Sequence, residues 1–297
     1  MKPTKRIIPI LFIMPSVIAV GVFVYGFISW TGFISFTKWD DVLPNYTLVG
    51  FENYRELFAN MRFQIDLRNT LIFTVIFIIS CLAIGLLLAI FLDQNIKGKG
   101  IFQNLFLLPM AISFVVSGVV WHWLFNPGSI QLGNIGINQL LEKLGLNFLT
   151  CGWYTDPKIG IIAVAIAAIW QFSGYTMALY LAGIRGVPVE LQEASAIDGA
   201  NKWQTFRYII FPFLRPVTFG AIILLGHISL KIFDLVMAMT GTGPAFSSDV
   251  PALFMYDTTF RGNHFAQGAS IAIILLLLVS LLIIPYLIST FRKEAWR

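Results

Sequence analysis

Charge is scarce in this sequence: Asp, Glu, Lys and Arg together make up 12% of its 297 residues. Soluble domains carry about a quarter, so the two soluble domains that length alone would suggest are excluded. Cysteine is nearly absent. Cys81 falls in an apolar run and Cys151 in an expected outer loop, with no metal-ligand spacing, so both read as packing residues rather than a disulfide or a metal site. The three histidines, His122, His227 and His264, fall in different segments, and no HExxH or GxSxG pairing occurs. Without a convergent nucleophile and base or a metal cluster, intramembrane catalysis has no residues to use. No GxxxxGK[ST] phosphate loop occurs, and no repeat of fixed period is visible.

Apolar residues are abundant, at 57%. A membrane span takes about 20 of them, and six runs qualify, at about 8–36, 69–92, 102–125, 159–185, 217–240 and 264–290. The expected fold is therefore all-α, a polytopic membrane bundle of about six helices. Its parts are a first helix with its outer loop (1–68), a five-helix core (69–290) and a cytoplasmic tail (291–297). The first run is too long for a signal peptide and lacks a small-x-small cleavage site. Pro15 and Pro109 are tolerable where neighbours re-satisfy the freed carbonyls. Gln171, Ser173, Gly174 and Tyr175 indicate that the fourth helix keeps one face from lipid, whereas the Leu, Ile and Ala of 269–284 give the sixth a lipid-facing look.

Basic residues set orientation, because Lys and Arg stay in the cytoplasm. One alternating set of segments holds twelve: Lys2, Lys5, Arg6, Lys97, Lys99, Arg185, Lys202, Arg207, Arg215, Arg292, Lys293 and Arg297. The other set, in longer loops, holds seven: Lys38, Arg55, Arg62, Arg68, Lys143, Lys158 and Arg261. Both termini are expected in the cytoplasm, with loops 37–68, 126–158 and 241–263 outside. The net charge of +5 then reflects topology rather than nucleic-acid binding.

The longest cytoplasmic loop, at about 186–216, carries a pattern of its own. Pro188 suits a helix start, and Glu190 follows in the first turn, where the helix dipole favours an anion. Leu191, Ala194 and Ile197 recur at helical spacing. Gly199 permits a left-handed stop. Trp203, Phe206 and Ile210 mark one face of a second helix, and Pro212 and Pro216 punctuate the return. Physics alone gives two short helices joined by a glycine bend, which a bland amphipathic connector on lipid headgroups would also satisfy.

The residues also resemble a motif of ABC importer permeases, E-A-A-x3-G-x9-I-x-L-P. Here it reads Glu193, Ala194, Ser195, three residues, Gly199, nine residues, Ile209, Ile210, Phe211, Pro212, with Ser195 for Ala and Phe211 for Leu. The resemblance implies a coupling helix that docks on an ATP-binding subunit through Glu190, Glu193, Ala194, Ser195, Asp198, Gly199, Ala200, Ile209 and Pro212. With no phosphate loop here, ATP and Mg would be bound by partner chains, and this chain would hold no cofactor and no ATPase site. The implied assembly has two ATP-binding cassette subunits, a second homologous permease (a heterodimer is favoured) and an extracytoplasmic sugar-binding protein, in the cell inner membrane with its lipid.

Further segments resemble carbohydrate permeases: Phe51-Glu52-Asn53-Tyr54, Asn69-Thr70, Trp121-His122-Trp123-Leu124-Phe125-Asn126-Pro127-Gly128, and Lys231 to Val236 followed by Thr240 to Pro244. Leu92-Asp93-Gln94, Ser247 to Ala252 and Phe254-Met255-Tyr256 are similar to glucose or glucose/mannose permeases. An ABC permease for another solute, such as glycerol phosphate, is the neighbouring alternative.

Intramembrane ionisable residues mark candidate transport paths. His227, Lys231 and Asp234 are expected on one stripe of the fifth helix, either as a polar wall for sugar hydroxyls or as a mutually satisfied pair bracing the bundle. Trp170, Gln171 and Tyr175 are further candidates, offering aromatic faces and an amide. His122 reads as an anchor or gate residue. An ion-coupled secondary transporter using Lys231 and Asp234 is the main rival, although the paired repeats and broken helices of that class are not evident in the sequence.

Overall fold

The computed structural model describes residues 4–94, 97–129 and 133–294. Lys2, Arg297 and the rest of the tail at 295–297 lie outside the described residues. These residues contain helices and loops, with two isolated bridges, Thr37–Leu48 and Ser129–Gly133, and no strand. Four helices are long and apolar enough to span: Phe12–Ile34, Met61–Asp93, Gly160–Arg185 and Phe265–Pro285. Two bent pairs, Lys99–Ala111 with Phe114–Leu124 and Lys202–Phe213 with Arg215–Leu230, bring the number to six if each pair is one span.

The chain divides into two compact units, residues 1–63 with 254–277, and residues 64–253 with 278–297. In the first, α1 (Thr4–Val20) continues through a widened π-helical segment into α2 (Phe27–Ile34). Asn53 on α3 (Glu52–Ala59) fixes the end of α2: its amide donates to the carbonyls of Ser35 (2.9 Å) and Thr37 (2.8 Å). Ser270 also donates to Ser35 O (3.2 Å), and Ala266 N donates to Trp39 O (2.8 Å). Asp257 accepts from Arg62 (2.8 Å) and Arg261 (3.1 Å), and Arg62 lies over the Phe254 ring. The sixth helix departs from the lipid-facing expectation over its first turns, where Ala266, Ala269, Ser270, Ile271 and Ile274 are buried. Ala and Gly in those turns allow close packing, a property that hydropathy does not register.

The second unit is organised by α8 (Gly160–Arg185), whose alanine-rich faces let neighbours approach closely. Met177, Tyr180, Leu181 and Ile184 pack with Ala89 and Leu92 of α4 (Met61–Asp93) and with Leu214. Gly174 is required by this packing: a Cβ there would overlap the carbonyl of Phe106 on α5 (Lys99–Leu107). Asn69, fully buried on α4, donates to the carbonyls of Phe246 (2.8 Å) and Asp249 (3.0 Å), holding a loop with positive φ at Gly241, Gly243, Ala245 and Phe246. Loop 126–158 contains α7 (Gly136–Lys143).

Three expectations are corrected. The second span begins at Met61 rather than 69, because Asn60 accepts from Arg62 N (2.8 Å) and starts the helix earlier. The third is not continuous over 102–125. Pro109 ends α5 in a 3-10 turn, Ile112 is extended, and α6 (Phe114–Leu124) restarts at 99° under a Ser113 cap. The fifth, expected over 217–240, is broken at Lys231–Phe233, between α12 (Arg215–Leu230) and α13 (Asp234–Met239), and a 57° bend at Leu214 precedes it. Broken helices are therefore present, and the case against secondary transport cannot rest on their absence.

Overpacking a close helix contact costs about 1–3 kcal/mol. Gly174→Val is expected to lower the thermal midpoint of the detergent-purified protein, while Gly220→Ala, with nothing within 4 Å of its Cβ, leaves it unchanged. Asn69→Leu removes the side-chain donor from Asp249 O and from Phe246 O, which keeps Asp249 N (3.2 Å); losing a buried carbonyl's partner costs about 1–3 kcal/mol, and the same melting assay is expected to show a loss comparable to that of Gly174→Val.

Candidate functional site: a capped hairpin and polar positions in the spans

Pro188 directly precedes α9 (Val189–Ile197), which carries Glu190 in its first turn. At its end Asp198 N donates to Ala194 O (3.0 Å), Gly199 N to Ala196 O (3.1 Å) and Ala200 N to Ser195 O (3.0 Å), with Gly199 at φ +77°. This paired closure is the glycine-dependent helix stop. The chain enters α10 (Lys202–Thr205) at once through a reciprocal cap: Gln204 N donates to Asn201 Oδ1 (2.9 Å) and Asn201 N to Gln204 Oε1 (2.7 Å). The N-x-x-Q signal for that cap was readable at 201–204 and was missed.

Ser195, where the resembled motif has Ala, is the buried contact of the hairpin. Its hydroxyl donates to Gln192 O (2.8 Å) and shares a hydrogen bond with Thr205 Oγ1 (3.0 Å), tying α9 to α10. With Ser195 turned inward, Leu191, Ala194 and Ile197 face outward, and Ile197 is 87% exposed. Glu190, Glu193, Asp198 and Gly199 share that exposed surface, while Ala200 is half-buried. The stripe predicted from spacing is present, and none of the described residues covers it. The second arm continues through a π turn (Phe206–Ile210) into α11 (Phe211–Phe213). Trp203 stacks on Phe206 at 5.9 Å, and Ile209 and Pro212 are half-buried. Ile210 and the buried Leu214 pack against the α4–α8 core, so the hairpin is rooted in the membrane helices.

The intramembrane candidates are not brought together as the unbroken stripe predicts. The break at Lys231–Phe233 rotates the register, so Lys231 ends one segment and Asp234 opens the next; both are exposed. Among the described residues neither forms an ion pair, which corrects the bracing-pair expectation. His227 is half-buried on α12. Asp234 sits in the first turn of α13, where a helix favours negative charge. Gln171 is buried, and its amide donates to Ile112 O (2.7 Å), satisfying the carbonyl freed at the bend. Trp170 meets Trp121 edge-to-face at 5.8 Å, and Tyr175 is half-buried. His122 Nδ1 lies 2.6 Å from Met239 O, and its ring stacks on Tyr154 at 4.7 Å. Burial pushes the Tyr154 phenol above its ordinary range.

Comparison with known proteins adds a lineage to this geometry. Residues 81–293 match the family model described as a binding-protein-dependent transport system inner membrane component. A probable ABC transporter permease protein of Pyrococcus horikoshii is 44% identical over 285 residues, covering 96% of each chain. A xylose/arabinose import permease protein of Haloferax volcanii is 35% identical, covering 93% of this chain and 86% of its own. A chain in the crystal structure of a bacterial alginate ABC transporter in complex with an alginate pentasaccharide-bound periplasmic protein superposes with a TM-score of 0.78. That match covers 94% of this chain and 93% of the other at 20% identity, which shows the fold. The chain belongs to the family of binding-protein-dependent transport system inner membrane components.

Proposed function

We propose that this chain is the membrane permease of an ABC importer for sugars, with glucose or a related mono- or oligosaccharide as cargo. The observation that carries the reading is the capped hairpin, a stiff pair of arms with an exposed Leu191–Ala194–Ile197 face beside Glu190, Glu193 and Asp198. In this reading an ATP-binding subunit seats that face in a groove, and Gly199, with nothing within 4 Å of its absent Cβ, lets the partner backbone approach. ATP binding in the partner dimer moves the hairpin, and hydrolysis resets it, switching the bundle between inward- and outward-facing states. ATP and Mg stay on the partners. The hairpin end and both termini lie in the cytoplasm of the cell inner membrane, and a second permease completes the path.

The xylose/arabinose permease among the relatives supports a sugar cargo, and the alginate transporter complex supports delivery by a periplasmic binding protein. Lys231 and Asp234, exposed and unpaired with each other at a helix break, suit a polar wall for hydroxyls, with Trp170 and Tyr175 as ring contacts. An ion-coupled transporter would use the same break, but it would give the exposed hairpin no task.

A hot-spot contact is worth about 2 kcal/mol or more, so Ile197→Asp or Glu193→Lys should weaken ATPase-subunit binding on the order of thirtyfold. Sugar-stimulated ATP hydrolysis should disappear while membrane insertion persists; normal coupled hydrolysis in both variants sinks the assignment. Lys231→Met and Asp234→Asn are expected to raise the transport KM severalfold with hydrolysis retained, and an unchanged KM in both removes them from the path.

A further inference from the structure

Loop 126–158 holds apolar side chains that the transport reading leaves unused. Leu140 (57%), Leu144 (64%), Phe148 (79%) and Leu149 (48%) are exposed on α7 and the turn after it. The place and rotation of α7 are both fixed. Gly136 has φ +57°, and a Cβ there would collide with the carbonyl of Leu124, the last residue of α6. The helix therefore starts against the very end of a membrane helix, and its eight residues extend only about 12 Å from it.

Rotation is set by Asn138, which is 3% exposed. Its amide donates to Cys151 O (2.9 Å) and its oxygen accepts from Trp153 Nε1 (2.7 Å), while Trp153 stacks on Phe125 at 4.4 Å. With Asn138 facing the protein and 3.6 residues per turn, Leu140, Leu144, Ile137 and Leu141 fall at about 200–300° around the axis, whereas Gln139 and Lys143 fall at about 100–140°. One side of α7 thus faces the protein, one flank is apolar and the opposite flank is polar. A helix lying in a bilayer interface beside its own bundle needs that arrangement. Aromatic residues at the same end, Trp121, Trp153, Tyr154 and the 68%-exposed Trp123, match the belt that marks interface depth.

We propose that α7 and the turn Asn147–Leu149 form an interfacial anchor whose partner is the phospholipid bilayer surface at the α6–α8 end of the spans. Ile137, Leu140, Leu144 and Phe148 sit at the level of the upper acyl chains, and Gln139 and Lys143 face water. The anchor holds residues 133–158 against the membrane beside the end of α6.

The test uses the assembled transporter in phosphatidylcholine–phosphatidylglycerol vesicles, with Cys151→Ser; Cys81 is fully buried and stays unlabelled. Nitroxide labels are placed singly at Gln139→Cys, Lys143→Cys, Leu144→Cys and Phe148→Cys, and power saturation is read with oxygen and with a water-soluble nickel chelate. The expected oxygen-to-nickel collision ratio is severalfold higher at 144 and 148 than at 139 and 143. A ratio favouring nickel at 144 and 148 puts the face in water and overturns the proposal. Exclusion of both reagents there puts it under another protein and overturns it equally.

Discussion

Hydrocarbon offers no hydrogen bonds to backbone, so every peptide group left unpaired inside the spans must find a partner within the protein. Gln171 answers that demand. By donating to Ile112 O it makes a sharp bend affordable in the third span, and the bend separates α5 from α6. The two segments then pack differently. The α5 segment lies against Gly174 of α8, while Gly118 of α6 accepts the α13 backbone near Leu235 and Ala238. A single buried amide thus underlies two tight interfaces, each depending on a missing side chain.

The same constraint organises the polar ends of the spans. Asn69 donates to two carbonyls of a loop with positive φ angles, adding to that loop's own backbone bonds such as Asp249 N to Phe246 O (3.2 Å). Asn53 does the same for the carbonyls released where α2 unwinds. Asn138 repeats the device at Cys151. Buried amides serve well here because they pair with backbone without bringing a charge into a medium of low dielectric.

The sequence made some of this readable and hid the rest. Six apolar runs, and the glycine stop at Gly199, follow from hydropathy and backbone sterics and can be read from composition and spacing. Pro109 warned of a break, but the carbonyl left open there, at Ile112, is paired by Gln171, 59 residues away. The break at Lys231–Phe233 had no proline or glycine to announce it, so Lys231 and Asp234 were expected on one face of one helix. The hairpin stripe was legible as a periodicity, but its direction was not: Ser195, a departure from the family motif, turns inward to Thr205 and sends Leu191 and Ile197 outward. The Asn201–Gln204 cap was a local signal that went unread.

The hairpin has a mechanical consequence. The hydrogen bonds that close α9 end at Ala200 N and those that open α10 begin at Asn201 N, the next residue, and the arms are pinned again at Ser195–Thr205. A joint with so little slack cannot absorb displacement by flexing. Under the proposed function it would act as a crank on a short shaft, with a displacement imposed at Ile197 reaching Leu214 by turning the piece more than by bending it.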